Sequence, residues 1–332
     1  RVSANSMMFS WMCKHRPTAY NRQGNAPAYN DKAQKDMTTE HYRIKDNHSQ
    51  PSYANITEYQ YKNKDMKIKS PKTTLLITTY NWPEALERTV RSAFDQTVAP
   101  DEIVIADDGS TDETRQLIER LGNESRIPII HVWQEDKGFL RTTILNKGIA
   151  KASGEYILQV DGDVILSRHF VSDHLELAEP NYFVCGSRVK LSPEITQKVF
   201  ANPDFHISLW NMPPSFALNS LRSRLLRRFM SLRYGKKIDH LRGCNMAYWK
   251  ADIIKINGYN EKLTQWGHED GEMAYRLHFA GVGKKSLKMG GCVYHLYHKE
   301  ASRDNEQTHT AEQNRVIKER LRWCDDGIDK YL

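Results

Sequence analysis

The sequence predicts an α/β fold in which a mostly parallel sheet is flanked by helices. From Thr73 onward, short apolar runs with strand character alternate with amphipathic helical segments. Three of these runs are followed at once by polar or acidic residues, namely Tyr80-Asn81, Asp107-Asp108 and Asp161-Gly162-Asp163. Because parallel strands deliver their carboxyl ends to one edge of a sheet, where such folds bind ligands, these side chains are expected to meet in one site.

The strands and helices of the first half are predicted from residue composition and hydrophobic periodicity. Runs rich in Ile, Leu, Val and Thr predict strands over 73–79, 102–106, 128–133 and 156–160. Pro83 marks the start of the first helix, which continues to Gln96 with Leu86, Val90 and Ala93 on one face. Further helices are predicted over 111–121 and 140–152.

The second half is less regular but keeps recognisable elements. A single strand is predicted over 182–189, and a short apolar segment follows at 244–249. A helix is predicted from Asp270 to Ala280, where Gly281 ends it. The stretch 290–298 predicts a late strand that carries two histidines, and the tail 310–323 has helical character.

Residues 1–65 show neither a helical nor a strand period and are rich in Asn, Gln, Lys, Tyr and Ser. A segment of this composition buries too little apolar surface to order itself. Met66 directly precedes the basic stretch that leads into the first strand, so we expect 1–65 to be a disordered or non-native extension. A flexible arm that binds a partner is the alternative.

Charge and cysteine content narrow the class of protein. The chain has 48 basic and 41 acidic residues, a net charge of +7, and 10 of the basic and 6 of the acidic residues lie in 1–65. Residues 66–332 therefore carry a net charge of only +3, which does not favour nucleic-acid binding. The apolar runs are too short to span a bilayer, and the start lacks a signal-peptide pattern. Five scattered cysteines without a CxxC pair indicate reduced thiols, so we expect a cytoplasmic protein.

Five sequence blocks carry a family resemblance. Four lie in the first half: Thr78-Thr-Tyr-Asn, Ala106-Asp-Asp-Gly-Ser-Thr-Asp, Glu135-Asp-Lys-Gly-Phe and Gly154-Glu-Tyr-Ile-Leu-Gln-Val-Asp-Gly-Asp. The fifth runs from Gly243-Cys-Asn-Met-Ala-Tyr-Trp through Trp266-Gly-His-Glu-Asp-Gly-Glu-Met-Ala-Tyr-Arg-Leu. In this order and spacing the blocks resemble the family 2 nucleotide-diphospho-sugar glycosyltransferases of the GT-A fold. The fifth resembles the C-terminal half of galactosyltransferases, polypeptide N-acetylgalactosaminyltransferases and chondroitin-polymerase-type enzymes.

The resemblance implies a division of the folded chain. Residues 66–190 correspond to the nucleotide-sugar-binding half, and 191–300 to the acceptor-binding and catalytic half with a basic amphipathic insert. Residues 301–332 are expected to form a C-terminal helical tail.

The same resemblance assigns the donor site. It implies that Thr78, Tyr80 and Asp108 hold the nucleotide base and that Asp107 belongs to the same nucleotide-sugar site. A carboxylate suits uracil N3–H because it only accepts hydrogen bonds. The alternative is that Asp108 or Ser110 caps the helix that begins near Thr111. The remaining implied donor contacts are Lys137, Arg141, Asn146, Asp161 and Gly162. Where the family often has Gly-Phe-Arg, this chain has Gly138-Phe139-Leu140-Arg141.

Asp161 and Asp163 end a buried strand, where carboxylates can hold a divalent cation against a phosphate-bearing donor. Hard oxygen ligands suit Mg²⁺ or Mn²⁺. The resemblance implies that Asp163 contacts the metal and that Asp161 lies towards the ribose or a metal-bound water. It also implies a histidine ligand, which favours Mn²⁺, and the spacing leaves His295 and His298 both open. A merely acidic turn and structural histidines are the alternatives.

The acidic block at the start of the fifth segment predicts the catalytic group. Inverting transfer needs one base to take the proton of an acceptor hydroxyl, and we assign that role to Asp270. Glu269 is expected to orient the acceptor or share its hydroxyl, and Trp266 to form a platform under a sugar ring. The alternatives are an acidic first turn that interacts with the helix dipole and a tryptophan in the core.

Residues 218–234 combine arginines, among them Arg222, Arg224, Arg227 and Arg228, with leucines, Phe229 and Met230. This pattern is typical of an interfacial helix attracted to anionic lipid headgroups. A solvated helix packed on the domain is the alternative. The sequence therefore leaves open a peripheral contact with the inner face of a membrane.

Together these assignments predict a metal-dependent, inverting glycosyltransferase. It would move a sugar from a UDP-sugar to a hydroxyl of a saccharide or lipid-linked saccharide, in surface glycan, lipopolysaccharide or capsule biosynthesis. A sugar nucleotidyltransferase is a rival, but the segment after the first strand lacks the glycine-rich loop of that class. A catalytically inactive nucleotide-sugar- or glycan-binding protein is another, and the presence of Asp163 and Asp270 argues against it.

Overall fold

The structure is a computed structural model that describes residues 70–202, 205–208, 212, 220–235, 237–238, 241–264, 267–299 and 306–332. The strands are β1 (Thr73–Thr79), β2 (Glu102–Asp107), β3 (Ile129–Trp133), β4 (Tyr156–Asp161), β5 (Val164–Leu166), β6 (Tyr182–Cys185), β7 (Arg188–Lys190), β8 (Met246–Trp249), β9 (Gly283–Ser286) and β10 (Val293–His295). The helices are α1 (Pro83–Phe94), α2 (Asp112–Glu124), α3 (Arg141–Lys151), α4 (Phe170–Leu175), α5 (Pro193–Ala201), α6 (Arg224–Gly235), α7 (Lys250–Lys255), α8 (Glu269–Phe279) and α9 (Glu306–Glu319). A 3₁₀ turn follows at Ile328–Tyr331.

A seven-stranded sheet in the order β3-β2-β1-β4-β8-β6-β9 forms the centre of the fold. Strands β3, β2, β1 and β4 run parallel to one another, whereas β8 runs antiparallel to both β4 and β6. The prediction of a mostly parallel sheet flanked by helices is therefore confirmed. The register pairs Thr78 with both Ala106 and Asp161, so the polar ends of three strands lie side by side.

Apolar side chains cover both faces of this sheet. Leu75 and Ile77 belong to one buried cluster, and the intervening Leu76 belongs to a second cluster on the opposite face. Successive strand residues point to opposite faces, and a parallel sheet needs cover on both. This explains why β1, β2 and β4 have nearly continuous hydrophobic sequences rather than alternating ones.

A smaller sheet in the order β5-β10-β7 stands beside the main one and corrects two predictions. The single strand expected over 182–189 is in fact β6 and β7, which belong to different sheets. The break falls at Gly186, whose Cα packs against the Asn245 side chain so closely that a β-carbon there would clash. The strand expected over 290–298 is only three residues long, so His295 ends it and His298 lies beyond it.

Some predictions fall where the structure gives no description. Residues 1–65 and Trp266 lie outside the described residues. The boundaries given above for the segments 1–65, 66–190, 191–300 and 301–332 stay predictions. Cys185, Cys244, Cys292 and Cys324 are buried free thiols. Within the ranges given above, no helix has both the length and the hydrophobicity that crossing a membrane requires.

Candidate active site

The carboxyl edge of β1 and β4 forms the floor of the site. Thr78 Oγ1 donates a hydrogen bond to Asp161 Oδ1 over 3.1 Å. The Gly162 N–H donates to the carbonyl of Thr78 over 2.7 Å, and a β-carbon on Gly162 would lie 2.9 Å from that carbonyl oxygen. Only glycine allows the chain to turn this tightly against β1, and the turn delivers Asp163 to the neighbouring small sheet.

Asp108 occupies the end of β2 in a buried position. Its Oδ1 accepts from Gln134 Nε2 at 2.6 Å, and its Oδ2 accepts from the backbone N–H of Leu140 at 2.9 Å. The alternative that it caps α2 is not what the structure shows, because Asp108 instead binds the residue that precedes α3. Burial raises the pKa of Asp108 to about 6 despite these two hydrogen bonds.

Two other residues predicted for the donor site are engaged in different ways. Asp107 is fully buried, accepting from Ser110 N at 2.8 Å and lying 3.0 Å from His131 Nε2. Tyr80 OH donates to Asp136 Oδ2 at 2.9 Å. Asp107 therefore stabilises its own turn, whereas the Tyr80 ring stays half-buried at the edge of the sheet. The assignment of both to donor binding stays a prediction.

Lys137 and Asn146 lie outside the carboxylate cluster of the site. Lys137 is exposed and forms a 3.0 Å ion pair with Glu135. Asn146 is fully buried, where its amide nitrogen donates to Tyr259 O and Glu261 Oε1, both at 2.8 Å, and its oxygen accepts from Tyr259 N at 2.8 Å. This side chain fastens α3 to the 259–261 loop, and its predicted contact with the donor is untested.

Arg141 joins the two acidic clusters that the sequence keeps far apart. It is the first residue of α3 and its side chain is 1% exposed. Nη2 lies 3.0 Å from Asp161 Oδ1, while Nη1 lies 3.3 Å from Glu269 Oε1 and 3.1 Å from Asp270 Oδ1. One guanidinium thus bridges three carboxylates, because its planar donors point in several fixed directions. Burial opposes its charge, but these carboxylates raise the pKa of Arg141 further above its already high ordinary value.

Glu269 and Asp270 open α8 but occupy different environments. The Glu269 side chain is 5% exposed, and its Oε2 accepts from Gly267 N at 2.9 Å. Burial, and then the charge of Asp270, raise the pKa of Glu269 to about 7. The Asp270 side chain is 21% exposed and its Oδ1 also lies 3.3 Å from Tyr259 OH. Asp270 is therefore the more accessible of the two carboxyl groups.

Helix α9 holds the loop that precedes these acids. Gly267 and His268 both have positive φ, at 119° and 66°. His268 Nδ1 lies 2.9 Å from Gln313 Oε1, and His309 Nδ1 lies 2.5 Å from the carbonyl of Gly267. The tail helix thus supports a left-handed loop conformation that a non-glycine residue adopts only at a cost.

Asp163, His295 and His298 form a compact, buried group at the end of the turn after β4. His298 Nε2 lies 2.8 Å and His295 Nε2 lies 3.6 Å from Asp163 Oδ2. One ligand atom of each residue lies within 4.8 Å of the others. In the described part of the chain, Asp163 Oδ1 and His295 Nε2 are buried without a hydrogen-bond partner. Orphaned acceptors that converge in this way fit a divalent cation.

The orientation of the two imidazoles supports the same interpretation. Nδ1 of His295 lies 2.8 Å from the carbonyl oxygen of Leu296. Nδ1 of His298 lies 3.2 Å from the carbonyl oxygen of Lys299. A carbonyl only accepts, so Nδ1 carries the proton and the Nε2 lone pair of the neutral ring faces Asp163. Burial lowers the pKa of His295 to about 4, which keeps this ring neutral. Burial also lowers the pKa of His298, but the contact with Asp163 outweighs burial and raises it overall. The second proton that His298 then holds, on Nε2, is the one that a bound metal would displace.

The structure adds residues that the sequence did not single out. Tyr259 contacts Asp270, Gln134 contacts Asp108, and the backbone of Gly243 lies against the carboxylate of Asp270. Gly243 opens the fifth block and could have been found from that position. Tyr259 and Gln134 carry no local signal, since their roles depend on loops brought together by the fold.

The strand order and the acidic edge define the class of this protein as one with the GT-A fold of glycosyltransferases. Residues 74–256, more than half of the chain, match the family described as glycosyl transferase family 2. Residues 223–299 match the family described as the N-terminal domain of galactosyltransferase. The chain belongs to glycosyl transferase family 2, as the sequence blocks predicted.

Curated relatives agree with this assignment, and a solved structure agrees with the fold. The chain is 29% identical over 228 residues to validoxylamine A glucosyltransferase of Streptomyces hygroscopicus subsp. limoneus, covering 64% of this chain and 49% of that protein. It is 28% identical over 297 residues to chondroitin synthase of Pasteurella multocida, covering 82% and 30%. The chain thus spans half or less of these relatives. A mannosyltransferase from Pyrobaculum calidifontis, solved with GDP-Man and Mn²⁺, superposes with a TM-score of 0.52 at 17% identity, covering 80% and 70%.

Proposed function

We propose that this chain is a metal-dependent, inverting glycosyltransferase that moves a sugar from a UDP-sugar to a hydroxyl of a saccharide or lipid-linked saccharide acceptor. The biological setting we infer is the synthesis of a surface glycan, lipopolysaccharide or capsule. Membership of family 2 and the similarity to a glucosyltransferase and a polysaccharide synthase support a transfer reaction.

The observation that carries the proposal is the arrangement of three acidic groups around Arg141. Asp161 stands two residues from Asp163 of the metal-type group, and Arg141 connects Asp161 to Asp270 through its two terminal nitrogens. The buried guanidinium of Arg141 thereby holds the proposed nucleotide-sugar site and the proposed base in a fixed relation. A protein that only binds nucleotide-sugars would not require the second carboxylate.

Asp163, His295 and His298 would hold a divalent cation, for which their oxygen and nitrogen donors suit Mn²⁺. When bound, the cation offsets negative charge that develops on the departing diphosphate. We assign to Asp108 the acceptance of N3–H from uracil, because its two oxygens keep lone pairs beyond those used by Gln134 and Leu140. Thr78 and Tyr80 lie at the end of the neighbouring strand.

Asp270 serves as the base in a single displacement. The acceptor oxygen attacks the anomeric carbon and its proton passes to a carboxylate oxygen of Asp270, while the bond from that carbon to the diphosphate oxygen breaks. Arg141 and Tyr259 hold Oδ1 of Asp270, which leaves Oδ2 for the acceptor. Glu269, with its raised pKa, positions Arg141 and the Gly267 loop rather than contacting the acceptor.

The test is nucleotide release from a panel of UDP-sugars and GDP-mannose, each incubated with oligosaccharide acceptors in Mn²⁺ or in EDTA. We expect release from one or more UDP-sugars only with Mn²⁺, and an NMR spectrum of the product that shows inverted anomeric configuration. GDP-mannose belongs in the panel because the mannosyltransferase of similar fold was solved with that donor.

A matched pair of variants makes this assay specific. Asp163→Asn should abolish release, whereas Asp112→Asn, at an exposed position paired with Arg115, should leave it unchanged. Release that persists in EDTA, or a product with retained configuration, would disprove the proposed mechanism.

A further inference from the structure

Helix α6 exposes apolar side chains instead of burying them. The exposed fractions are 84% for Leu225, 49% for Leu226, 70% for Phe229 and 54% for Leu232. Leu225 and Leu226 lie four and three positions before Phe229, and Leu232 lies three positions after it. These four residues, which we name the α6 apolar face, therefore lie on one side of the helix. Contiguous exposed apolar surface of this kind marks an interaction site.

The opposite side of α6 consists of one buried arginine and two small residues. Arg227 is fully buried, 2.6 Å from both Asp173 Oδ1 and Glu176 Oε2. Ser231 and Gly235 continue this side at four-residue intervals, and a β-carbon on Gly235 would clash with the carbonyl of Lys284. The inward contacts are thus specific, and they hold the helix with its leucines outward. The apolar face is not a consequence of loose packing.

Charge around the α6 apolar face indicates what covers it. Residues 221–237 contain seven basic residues and no acidic one. Arg222 and Arg224 pair with Asp173 and Glu176, but exposed Arg228 and Arg233 form no ion pair within the described part of the chain. A second copy of this chain would bring two sets of positive charges together, which is unfavourable. An apolar stripe flanked by free arginines suits an anionic lipid surface.

We propose that the α6 apolar face docks on the surface of an anionic bilayer, with Phe229 and the leucines in the headgroup–acyl boundary and Arg228 and Arg233 at the phosphates. Arginine can reach the phosphates while its methylene groups lie along the apolar layer. The inference goes beyond the transfer reaction and does not depend on it, since docking needs neither donor nor metal.

The experiment is co-sedimentation of the full chain with sucrose-loaded vesicles of phosphatidylcholine alone or mixed with phosphatidylglycerol. We expect binding to the mixed vesicles that weakens as salt is raised. The double variant Leu225→Ser/Phe229→Ser should bind about tenfold more weakly or worse, because the buried apolar area is lost. The variant Arg228→Gln/Arg233→Gln should lose roughly tenfold of the preference for phosphatidylglycerol.

Trp323→Ser is the matched control, because Trp323 is a half-exposed aromatic residue outside α6 and its loss should not alter vesicle binding. Gel filtration with light scattering is run on the same proteins. Wild-type protein that fails to sediment with mixed vesicles, or a double variant that sediments equally well, would overturn the proposal. A wild-type dimer that the double variant converts to a monomer would assign the face to a second copy instead.

Discussion

The backbone of Gly243 lies against the carboxylate of Asp270, and a β-carbon at position 243 would overlap Oδ2 of Asp270. Residue 243 directly precedes the segment that leads into β8, so the main sheet itself fixes the place of this backbone. The other oxygen of Asp270 is held by Arg141 and Tyr259. The space for the proposed base is thus defined on both sides.

We predict that Gly243→Ala lowers turnover by about a hundredfold while the protein stays folded. The flexible carboxylate can move away from the new methyl group, but displacement of a catalytic group by about 1 Å costs this much. The measurement is kcat together with the melting temperature. Gly122→Ala is the control, since a β-carbon at this helical position meets nothing within 4 Å and should raise stability slightly. Unchanged kcat in Gly243→Ala would refute the proposed role of Asp270.

The two acids of α8 should respond differently to neutral isosteres. Asp270→Asn should reduce kcat by about 10²–10⁴-fold, the range that loss of a general base produces. Glu269→Gln should have a smaller effect, because this buried group accepts from Arg141 and Gly267 rather than from substrate. Steady-state kinetics and UDP binding of both variants check this. A larger kinetic loss in Glu269→Gln than in Asp270→Asn would exchange the two roles.

Arg141→Met should destabilise the fold by roughly 3–5 kcal/mol, since it leaves buried carboxylates without their cation. The loss should be greatest at high pH. Burial raises the pKa of Glu269 to about 7 even with Arg141 present. The variant's native state therefore binds more protons than the unfolded chain, and stability is regained as pH falls from about 8 towards 5. Urea unfolding across that range tests this, and a deficit independent of pH would contradict it.

Much of the fold could be predicted because buried parallel strands are recognisable from their local sequence. Strands β1, β2 and β4 are nearly continuous apolar runs, and this pattern is typical of a sheet that is covered on both faces. Their polar ends were also visible, and the register places Thr78 beside Asp161 as expected. The second half was harder, because the break at Gly186 depends on its contact with Asn245, far away in sequence.

The site shows the same limit. Sequence blocks located Asp161, Asp163 and Asp270, but no pattern could indicate that Arg141 bridges Asp161, 20 positions away, and Asp270, 129 positions away. Asn146 carries a family match, yet its three hydrogen bonds to residues 259–261 arise only in the folded chain. Residue types can be predicted from motifs, whereas the partners that determine their use come from tertiary structure.

His295→Ala and His298→Ala should each weaken Mn²⁺ binding about tenfold or more in the presence of UDP. Both Nε2 atoms face Asp163, so the structure favours two histidine ligands where the sequence left a choice of one. Electron paramagnetic resonance of free and bound Mn²⁺ is the measurement. His169→Ala, at a position that contacts Thr97 instead, is the control. Wild-type Mn²⁺ affinity in both variants would exclude the trio as the metal site.

Asp108 should make uridine binding depend on pH. Burial raises its pKa to about 6 from an ordinary value of 3.8. Between these values the native state binds more protons than the unfolded chain, so the ionised carboxylate costs stability as pH rises through this window. Ionisation is nevertheless what base recognition needs, because only the carboxylate accepts N3–H with either oxygen.

The dissociation constant for uridine should therefore be constant above about pH 7 and rise by up to about tenfold per unit below pH 6. Uridine is the right probe because it carries no phosphate that titrates in this range and needs no metal. In Asp108→Asn the constant should be higher at neutral pH and flat across the window, whereas Asp112→Asn, whose side chain is 77% exposed, should follow the wild type. Calorimetry or NMR titration at several pH values gives the curve. A wild-type curve that stays flat down to about pH 5 would remove Asp108 from the base-binding site and leave it as the residue that anchors Leu140.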